Sequence, residues 1–302
     1  MRVAIGPGPA EFASRAVRDG GAEPVGADAP ADALVWLAPR DTDGLREAVA
    51  ATMARWVQLS SAGVELPAAA GVIDPGRTWT CAKGSYAEPV AEHALMLALA
   101  GLRRIPLRVR ATSWGPPAAD SLYDEPVTIL GGGGIAASLL ELLAPFRATV
   151  TVVRRTAEPV SGAARTLPQD RLQEAVAGAK VVFLALALTP ETAQIIGPAQ
   201  LAAMRPDAWL VNVARGRHVD TSALVAALDN DTIAGAALDV TDPEPLPDRH
   251  PLWQHPRCII TPHTADTPEM VLRPLADRIR ENVRRFVSGE PLVGMVDPAA
   301  GY

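Results

Sequence analysis

The chain has 302 residues, which is long enough to bury a large core and lies at the size where one core tends to split into two. With 48% apolar and 21% charged residues, its composition is typical of a soluble globular protein. A net charge of -6 without a basic stripe argues against a nucleic-acid surface, and no apolar stretch approaches the roughly 18 residues that span a bilayer. Cys81 and Cys258 form neither a metal-ligand spacing nor a disulfide framework, which favours a reduced, cytoplasmic setting.

Short apolar runs bounded by Gly or Pro alternate with helical patterns, which predicts parallel sheets covered on both faces by helices. A first series of strands is predicted at 2–5, 33–37, 56–60 and 78–82, followed by a helix over 87–104. A second series is predicted at 126–130, 148–153, 180–188, 208–214, 235–240 and 257–263. The last helix contains Pro274, which is expected to bend it or delay its start, and Gly289 is expected to cap its end.

A glycine cluster, in the segment VTILGGGGIAAS, lies directly after a predicted strand and opens a predicted helix. Gly131, Gly133 and Ala136 give a G-x-G-x-x-A frame, in which the first glycine makes a tight turn and the second lets the backbone approach a pyrophosphate. Backbone N–H groups at the helix start, at Gly134 and Ile135, would face that anion. The segment therefore predicts a dinucleotide-binding unit, with an ordinary glycine turn as the alternative.

Two arginines, Arg154 and Arg155, end the strand that follows this turn. Units that bind NAD usually carry an acidic residue here, about 20 residues after the glycines, to accept hydrogen bonds from a ribose diol. A guanidinium can instead form a bidentate pair with the 2′-phosphate of NADP. The arginines therefore favour NADP(H) as cofactor and leave NAD(H) possible, the alternative being a solvated strand end.

Three further motifs follow predicted strands of the second series: VNVARGRHVD (211–220), ALDVTDPEPLP (237–247) and ITPHTADT (260–267). With the glycine turn, VAEHALMLALAGLRR and LALALTPET, they closely resemble the D-isomer-specific 2-hydroxyacid dehydrogenase family, in particular its glyoxylate/hydroxypyruvate reductase-like members. The resemblance covers the chain from about Val57 to Arg285, with the motifs in the family's order.

The resemblance implies an α/β fold with two doubly wound parallel-sheet domains and an active site in the cleft between them. A Rossmann dinucleotide-binding domain, 99–270, would be inserted in a smaller flavodoxin-like substrate domain made of 1–98 and 271–302. It also implies a homodimer, and we expect neither a nucleic-acid nor a membrane partner and no metal.

The resemblance also implies the residues of the site. The catalytic positions match Arg215, Glu244 and His263. The cofactor would contact Thr189, Val213 and Asp239 in addition to the glycine turn and the arginines, and Asp239 would meet the nicotinamide carboxamide. The substrate would contact Ala62, Gly63 and Arg215, and Lys83 stands where many members have a proline. Lys83 would then favour a second negative charge on the substrate, or point to solvent.

The chemistry of a 2-keto acid suits these residue types. A guanidinium holds the carboxylate and polarises the carbonyl, and an imidazolium is the natural proton donor near neutral pH. A carboxylate beside the ring favours its charged form, so Glu244 would orient and tune His263. Each of these residues could instead have a purely structural place. Arg215 could be an arginine at the start of a helix, Glu244 a solvated acid in a loop, and His263 a histidine at the end of a strand. Ala62 and Gly63 could form an ordinary turn.

The remaining histidines are not assigned to the site. His93 lies on an apolar helix and is expected to pack there, while His218, His250 and His255 are expected in loops or at the surface.

The leading hypothesis is an oxidoreductase that moves a hydride between NADP(H), or NAD(H), and a small acid such as glyoxylate or hydroxypyruvate. One alternative keeps the fold and changes the substrate to phosphite; formate is disfavoured because Glu244 accompanies the histidine. The other is a dinucleotide-sensing binding protein that resembles the family's corepressors.

Overall fold

A computed structural model describes residues 1–298, and its contacts divide the chain into two compact units. The first comprises Met1–Tyr86 and the segment that begins at Thr267, and the second comprises Ala87–Asp266. The domain boundaries after 98 and 270 stay predictions. Among the described residues, no helix has the length and apolar character needed to cross a membrane.

The strands, in chain order, are β1 (Arg2–Gly6), β2 (Glu23–Gly26), β3 (Ala33–Trp36), β4 (Trp56–Leu59), β5 (Thr78–Thr80), β6 (Pro126–Leu130), β7 (Thr149–Arg154), β8 (Arg165–Pro168), β9 (Val181–Leu184), β10 (Trp209–Asn212), β11 (Gly235–Leu238) and β12 (Cys258–Ile260). The helices are α1 (Glu11–Asp19), α2 (Thr42–Thr52), α3 (Glu65–Ala69), α4 (Ala87–Leu102), α5 (Ile105–Val109), α6 (Gly134–Leu143), α7 (Leu172–Ala177), α8 (Pro198–Ala203), α9 (Thr221–Asp229), α10 (Pro251–Gln254) and α11 (Pro268–Ser288). Short 3-10 turns cover Ala144–Phe146, Gln169–Arg171 and Gly216–His218.

The first unit is built on a parallel five-stranded sheet in the order β2-β1-β3-β4-β5. This is the order of a flavodoxin-like doubly wound sheet. Because successive side chains of a strand point to opposite faces, Val3 and Ile5 join the core beside α1 and α11, whereas Ala4 joins the opposite core beside α2. The two cores place a helical layer on each face of the sheet, as the sequence predicts.

The second unit is built on a parallel seven-stranded sheet in the order β12-β11-β10-β9-β6-β7-β8. The chain starts at β6 in the middle, moves outward through β7 and β8, and then returns to β9 on the other side of β6. This reversal is the topological switch point of a Rossmann fold, where ligands bind beyond the carboxyl ends of the strands. The predicted fold class, two doubly wound parallel-sheet α/β domains, is confirmed.

Each predicted strand is present. The structure has two further strands, β2 and β8, which were not predicted from the sequence. Both lie at the edge of a sheet, and both are only partly buried. Their sequences, EPVG and RTLP, lack an apolar run and contain proline, which edge strands tolerate because one row of N–H groups needs no partner. The last helix continues through Pro274 as α11 and ends at Gly289, which has the left-handed conformation expected of a cap.

Candidate active site

The predicted site residues of the second unit all follow, or end, strands of the seven-stranded sheet. In sheet order they are His263 after β12, Glu244 and Asp239 after β11, Arg215 and Val213 after β10, Thr189 after β9, Gly131, Gly133, Gly134 and Ile135 after β6, and Arg154 and Arg155 at the end of β7. Because the strands are parallel, their carboxyl ends share one edge of the sheet. The predicted motifs therefore meet at one edge although they are far apart in sequence.

The glycine turn between β6 and α6 has the geometry that a dinucleotide requires. Gly131 has φ +114°, and a Cβ there would lie 2.0 Å from the carbonyl oxygen of Ala185, so only glycine fits. Gly133 is the N-cap of α6 without a side-chain cap, and a Cβ there would meet no atom within 4 Å. The backbone at Gly133 is therefore open to a ligand, and the start of a helix without a side-chain cap is suited to bind a pyrophosphate. Ala136 is fully buried, as helix-on-strand packing at this position demands.

Arg154 lies against this glycine turn. Its Cδ is 3.3 Å from the place that a Cβ on Gly132 would take, and its guanidinium is 3.5 Å from the Glu158 carboxylate. Arg155 follows it and is exposed. A guanidinium thus occupies the strand end where NAD-binding units offer an acid to the ribose, so the residues present fit a 2′-phosphate.

His263 and Glu244 form a hydrogen-bonded pair, with 2.7 Å between Nδ1 and Oε1. A carboxylate only accepts hydrogen bonds, so Nδ1 carries a proton in this pair, and Nε2 is the nitrogen left for exchange with a ligand. The two side chains are 42% and 34% exposed, so a ligand can reach the ring. The pair therefore has the arrangement of an oriented proton donor.

The backbone of His263 and of the two residues after it is held by Asp239. His263 has φ +53°, and its N–H donates to the Asp239 carbonyl oxygen at 2.8 Å. The Asp239 carboxylate accepts hydrogen bonds from the N–H groups of Thr264 at 2.9 Å and Ala265 at 3.1 Å. Because a left-handed conformation is unfavourable for a residue with a Cβ, these contacts are what keep His263 in it.

Asp239 is 2% exposed and ionised. Burial alone would raise the pKa of its carboxyl, but hydrogen bonds from His93, Thr261 and the Thr264 N–H together hold the pKa below its usual value.

Arg215 lies at the start of the 3-10 turn after β10. Its Nη1 donates to the Ala214 carbonyl at 2.7 Å, and its own carbonyl accepts from Asn212 Nδ2 at 2.9 Å. At the next residue, Gly216, a Cβ would lie 1.9 Å from the Thr241 carbonyl oxygen. Only glycine allows this approach, which brings the Arg215 loop against the loop that carries Glu244.

The half-buried carboxyl of Asp266 is affected by the charges of His263, Arg215 and Asp239. Burial raises its pKa and the charge of Asp239 adds to this, whereas His263 and Arg215 partly oppose the increase. Arg215 and His263 therefore act on the same carboxyl. No local motif singles out Asp266, because the charged groups around it come from separate loops.

Two histidines have hydrogen-bond partners that were not predicted. His218, expected in a loop or at the surface, is fully buried; its Nδ1 accepts from the Arg215 N–H at 3.2 Å and its Nε2 lies 3.3 Å from the Ala187 carbonyl oxygen. His93, assigned to packing, lies 2.9 Å from the Thr261 hydroxyl. Helical periodicity identified the apolar face of α4 but gave no sign of a polar partner that is distant in sequence.

Three predicted substrate contacts lie in the first unit. Ala62 and Gly63 are in the loop between β4 and α3, where Ser61 Oγ donates to the Gly63 carbonyl at 2.6 Å. Lys83 is exposed in the loop after β5, and its carbonyl accepts from Arg278 at 2.9 Å. Each lies after the carboxyl end of a strand of its own sheet. Within residues 1–298, no group of three or more His, Cys, Asp or Glu side chains has a metal-binding arrangement.

Comparison with known proteins gives consistent matches. Residues 93–265 match the model of the D-isomer specific 2-hydroxyacid dehydrogenase NAD-binding domain. A Corynebacterium melassecola protein, described as an uncharacterized protein in the proB 3′ region, is 42% identical over 254 residues, which are 82% of this chain and 84% of that protein. Glyoxylate/hydroxypyruvate reductase A of Photorhabdus laumondii is 33% identical over 216 residues, 70% of this chain and 68% of the relative. The structure of a D-isomer specific 2-hydroxyacid dehydrogenase from Xanthobacter autotrophicus Py2, in complex with NADPH and MES, superposes with a TM-score of 0.86 at 27% identity, covering 100% of this chain and 99% of that one.

Proposed function

The chain belongs to the D-isomer-specific 2-hydroxyacid dehydrogenase family, and from that premise we propose that it reduces small 2-keto acids such as glyoxylate and hydroxypyruvate with NADPH. It is an NAD(P)-dependent oxidoreductase acting on CH–OH groups. The observation that carries the proposal is the 2.7 Å pair of His263 and Glu244, on the sheet edge that also carries Arg215 and the glycine turn. A relative named glyoxylate/hydroxypyruvate reductase A supports the substrate class, and the NADPH in the Xanthobacter structure supports the cofactor.

Each catalytic residue has a role that its position can supply. The Arg215 guanidinium binds the substrate carboxylate and polarises the adjacent carbonyl. His263, protonated at both nitrogens, donates the Nε2 proton to the carbonyl oxygen, and Glu244 holds the ring through Nδ1. In the reverse direction the neutral ring takes the hydroxyl proton. When bound, the nicotinamide cofactor supplies the hydride that the carbonyl carbon receives.

The cofactor would be held by backbone and side chains of the second unit. The glycine turn at Gly131, Gly133, Gly134 and Ile135 would bind the pyrophosphate, with Thr189, Val213 and Asp239 nearer the nicotinamide. We propose that Ala62, Gly63 and Lys83 complete the substrate contacts. Phosphite oxidation and a corepressor-like binding role are not favoured by the similarities.

Replacing Arg154 with glutamine is expected to weaken NADPH binding about 10- to 100-fold, since a hydrogen bond to a charged group contributes about 1.5–3 kcal/mol. NADH has no 2′-phosphate, so its dissociation constant should stay within about twofold. The measurement is a fluorescence titration of each cofactor. Arg165→Gln is the matched control. Arg165 is an exposed arginine of the same unit, lies at the start of β8 and forms an ion pair with Glu174. An equal loss for both cofactors would contradict the assignment of Arg154.

We also propose a homodimer located in the cytoplasm. Cys81 and Cys258 are free thiols, and burial raises the pKa of both, which keeps them as inert thiols in a reducing compartment. Sedimentation of the purified protein tests the dimer: a single species of twice the 31.7 kDa chain mass is expected, and a monomer at all concentrations would contradict it.

A further inference from the structure

One side chain outside the predicted catalytic set, His93 on α4, contacts the residues that hold the His263 loop. Its Nε2 lies 2.9 Å from Thr261 Oγ1 and 3.3 Å from Asp239 Oδ1, and its side chain is 15% exposed. Both partners follow strands of the sheet, β12 and β11 respectively. The imidazole therefore links a helix to the ends of two neighbouring strands.

The direction of these hydrogen bonds follows from counting protons. Thr261 Oγ1 lies 2.6 Å from Asp239 Oδ1, and an ionised carboxylate has no proton to give, so the single hydroxyl proton goes to Asp239. The hydroxyl then has only lone pairs to offer His93. Nε2 of His93 must therefore be the protonated nitrogen, and it donates to Thr261 and Asp239 together.

Asp239 also accepts hydrogen bonds from the backbone of His263 and of the two residues after it. The same Oδ1 that faces His93 and Thr261 also accepts the Thr264 N–H, and Oδ2 accepts the Ala265 N–H. The Asp239 carbonyl accepts the His263 N–H. A rotation of the Asp239 carboxylate would release the two N–H groups directly after His263, a residue that needs support for its left-handed backbone.

We propose that His93 is a positioning residue for His263: its Nε2–H fixes the Thr261 hydroxyl and the Asp239 carboxylate, and through them the backbone of residues 263–265. His93 takes no part in proton transfer. The inference rests on the proposed function only for its catalytic consequence, because the hydrogen bonds themselves are properties of the protein alone.

The test compares His93→Leu, which keeps an apolar side chain of similar size, with His93→Gln, whose amide nitrogen can replace Nε2. Amide hydrogen exchange is measured by mass spectrometry on the protein without substrate, in a peptide spanning residues 261–266. We expect His93→Leu to accelerate exchange of the Thr264 and Ala265 amides at least about tenfold relative to core peptides. Without the His93 hydrogen bond, the loop after His263 should open more often and expose these amides to solvent. His93→Gln should restore most of the protection.

Activity supplies a second readout. We expect His93→Leu to lower kcat about 10- to 100-fold with KM for the keto acid changed less than about threefold, since misplacing a reacting group costs rate rather than binding. Leu97→Ala is the control, because Leu97 is fully buried on the same helix and its truncation lowers stability without removing a hydrogen bond. It should lower Tm without selective exchange at 261–266.

Unchanged exchange in His93→Leu, or no recovery in His93→Gln, would overturn the proposal whatever the activity. If the wild-type protein reduced no keto acid, the proposed function would fail, while the exchange result would still decide whether His93 holds the loop.

Discussion

His263→Gln is expected to lower kcat for glyoxylate or hydroxypyruvate about 10²- to 10⁴-fold, the range that a positioned general acid contributes. Glutamine can still hydrogen-bond to a carbonyl oxygen, but it cannot deliver a proton. The dissociation constant for NADPH should stay within about twofold, because the ring lies at the end of β12 and the glycine turn follows β6. Steady-state kinetics and a cofactor titration on the same preparation make the comparison.

Glu244→Gln is the informative companion to that variant. It removes the charge that faces Nδ1 at 2.7 Å while keeping an oxygen that accepts the hydrogen bond. We expect a kcat loss smaller than that of His263→Gln, because the proton donor remains and only the hydrogen bond that orients its ring is weakened by the loss of the carboxylate charge. If His263→Gln retained more than a third of wild-type kcat, another group would be the proton donor.

Arg215→Lys is expected to lower kcat/KM for the keto acid about 10²- to 10³-fold, although the positive charge is kept. A lysine ammonium is a point charge, whereas the planar guanidinium can hold the carboxylate with two parallel hydrogen bonds and polarise the carbonyl. NADPH binding should be unchanged. Arg217→Lys provides the matched control, since Arg217 is an exposed arginine in the same 3-10 turn.

The two Arg→Lys variants together decide the role of Arg215. A loss confined to Arg215→Lys assigns substrate binding to that guanidinium. Equal and small effects in both variants would contradict the assignment and would reduce Arg215 to a structural residue of the turn.

Much of the fold could be predicted from local sequence, because each central strand is a short apolar run and each motif is continuous in the chain. The glycine turn is such a case. Gly131 must be glycine because the Ala185 carbonyl leaves no room for a Cβ, and this requirement is visible in the sequence as the first glycine of the G-x-G-x-x-A frame. The edge strands β2 and β8 could not be predicted in this way, since half-exposed edge strands need no apolar run.

The parts of the site that sequence reasoning missed depend on contacts between distant residues. His218 is buried beside Arg215, and His93 reaches Thr261 from another element. Asp266 has a raised pKa because burial and the charge of Asp239 disfavour its ionised form. None of these environments can be predicted from the local sequence. The residues next to a histidine or aspartate in the chain do not show whether its side chain contacts water or a residue from another strand.

The measurement that tests the central claim most directly is the initial rate of NADPH and NADH oxidation, in parallel, across a panel of 2-keto acids that includes glyoxylate, hydroxypyruvate and pyruvate. The proposed enzyme should oxidise NADPH with glyoxylate or hydroxypyruvate, with kcat/KM for NADPH at least about tenfold above that for NADH, as the guanidinium of Arg154 beside the glycine turn implies. A strong preference for NADH would contradict the assignment of the arginines. Failure to oxidise either cofactor with any acid of the panel would contradict the proposed function itself.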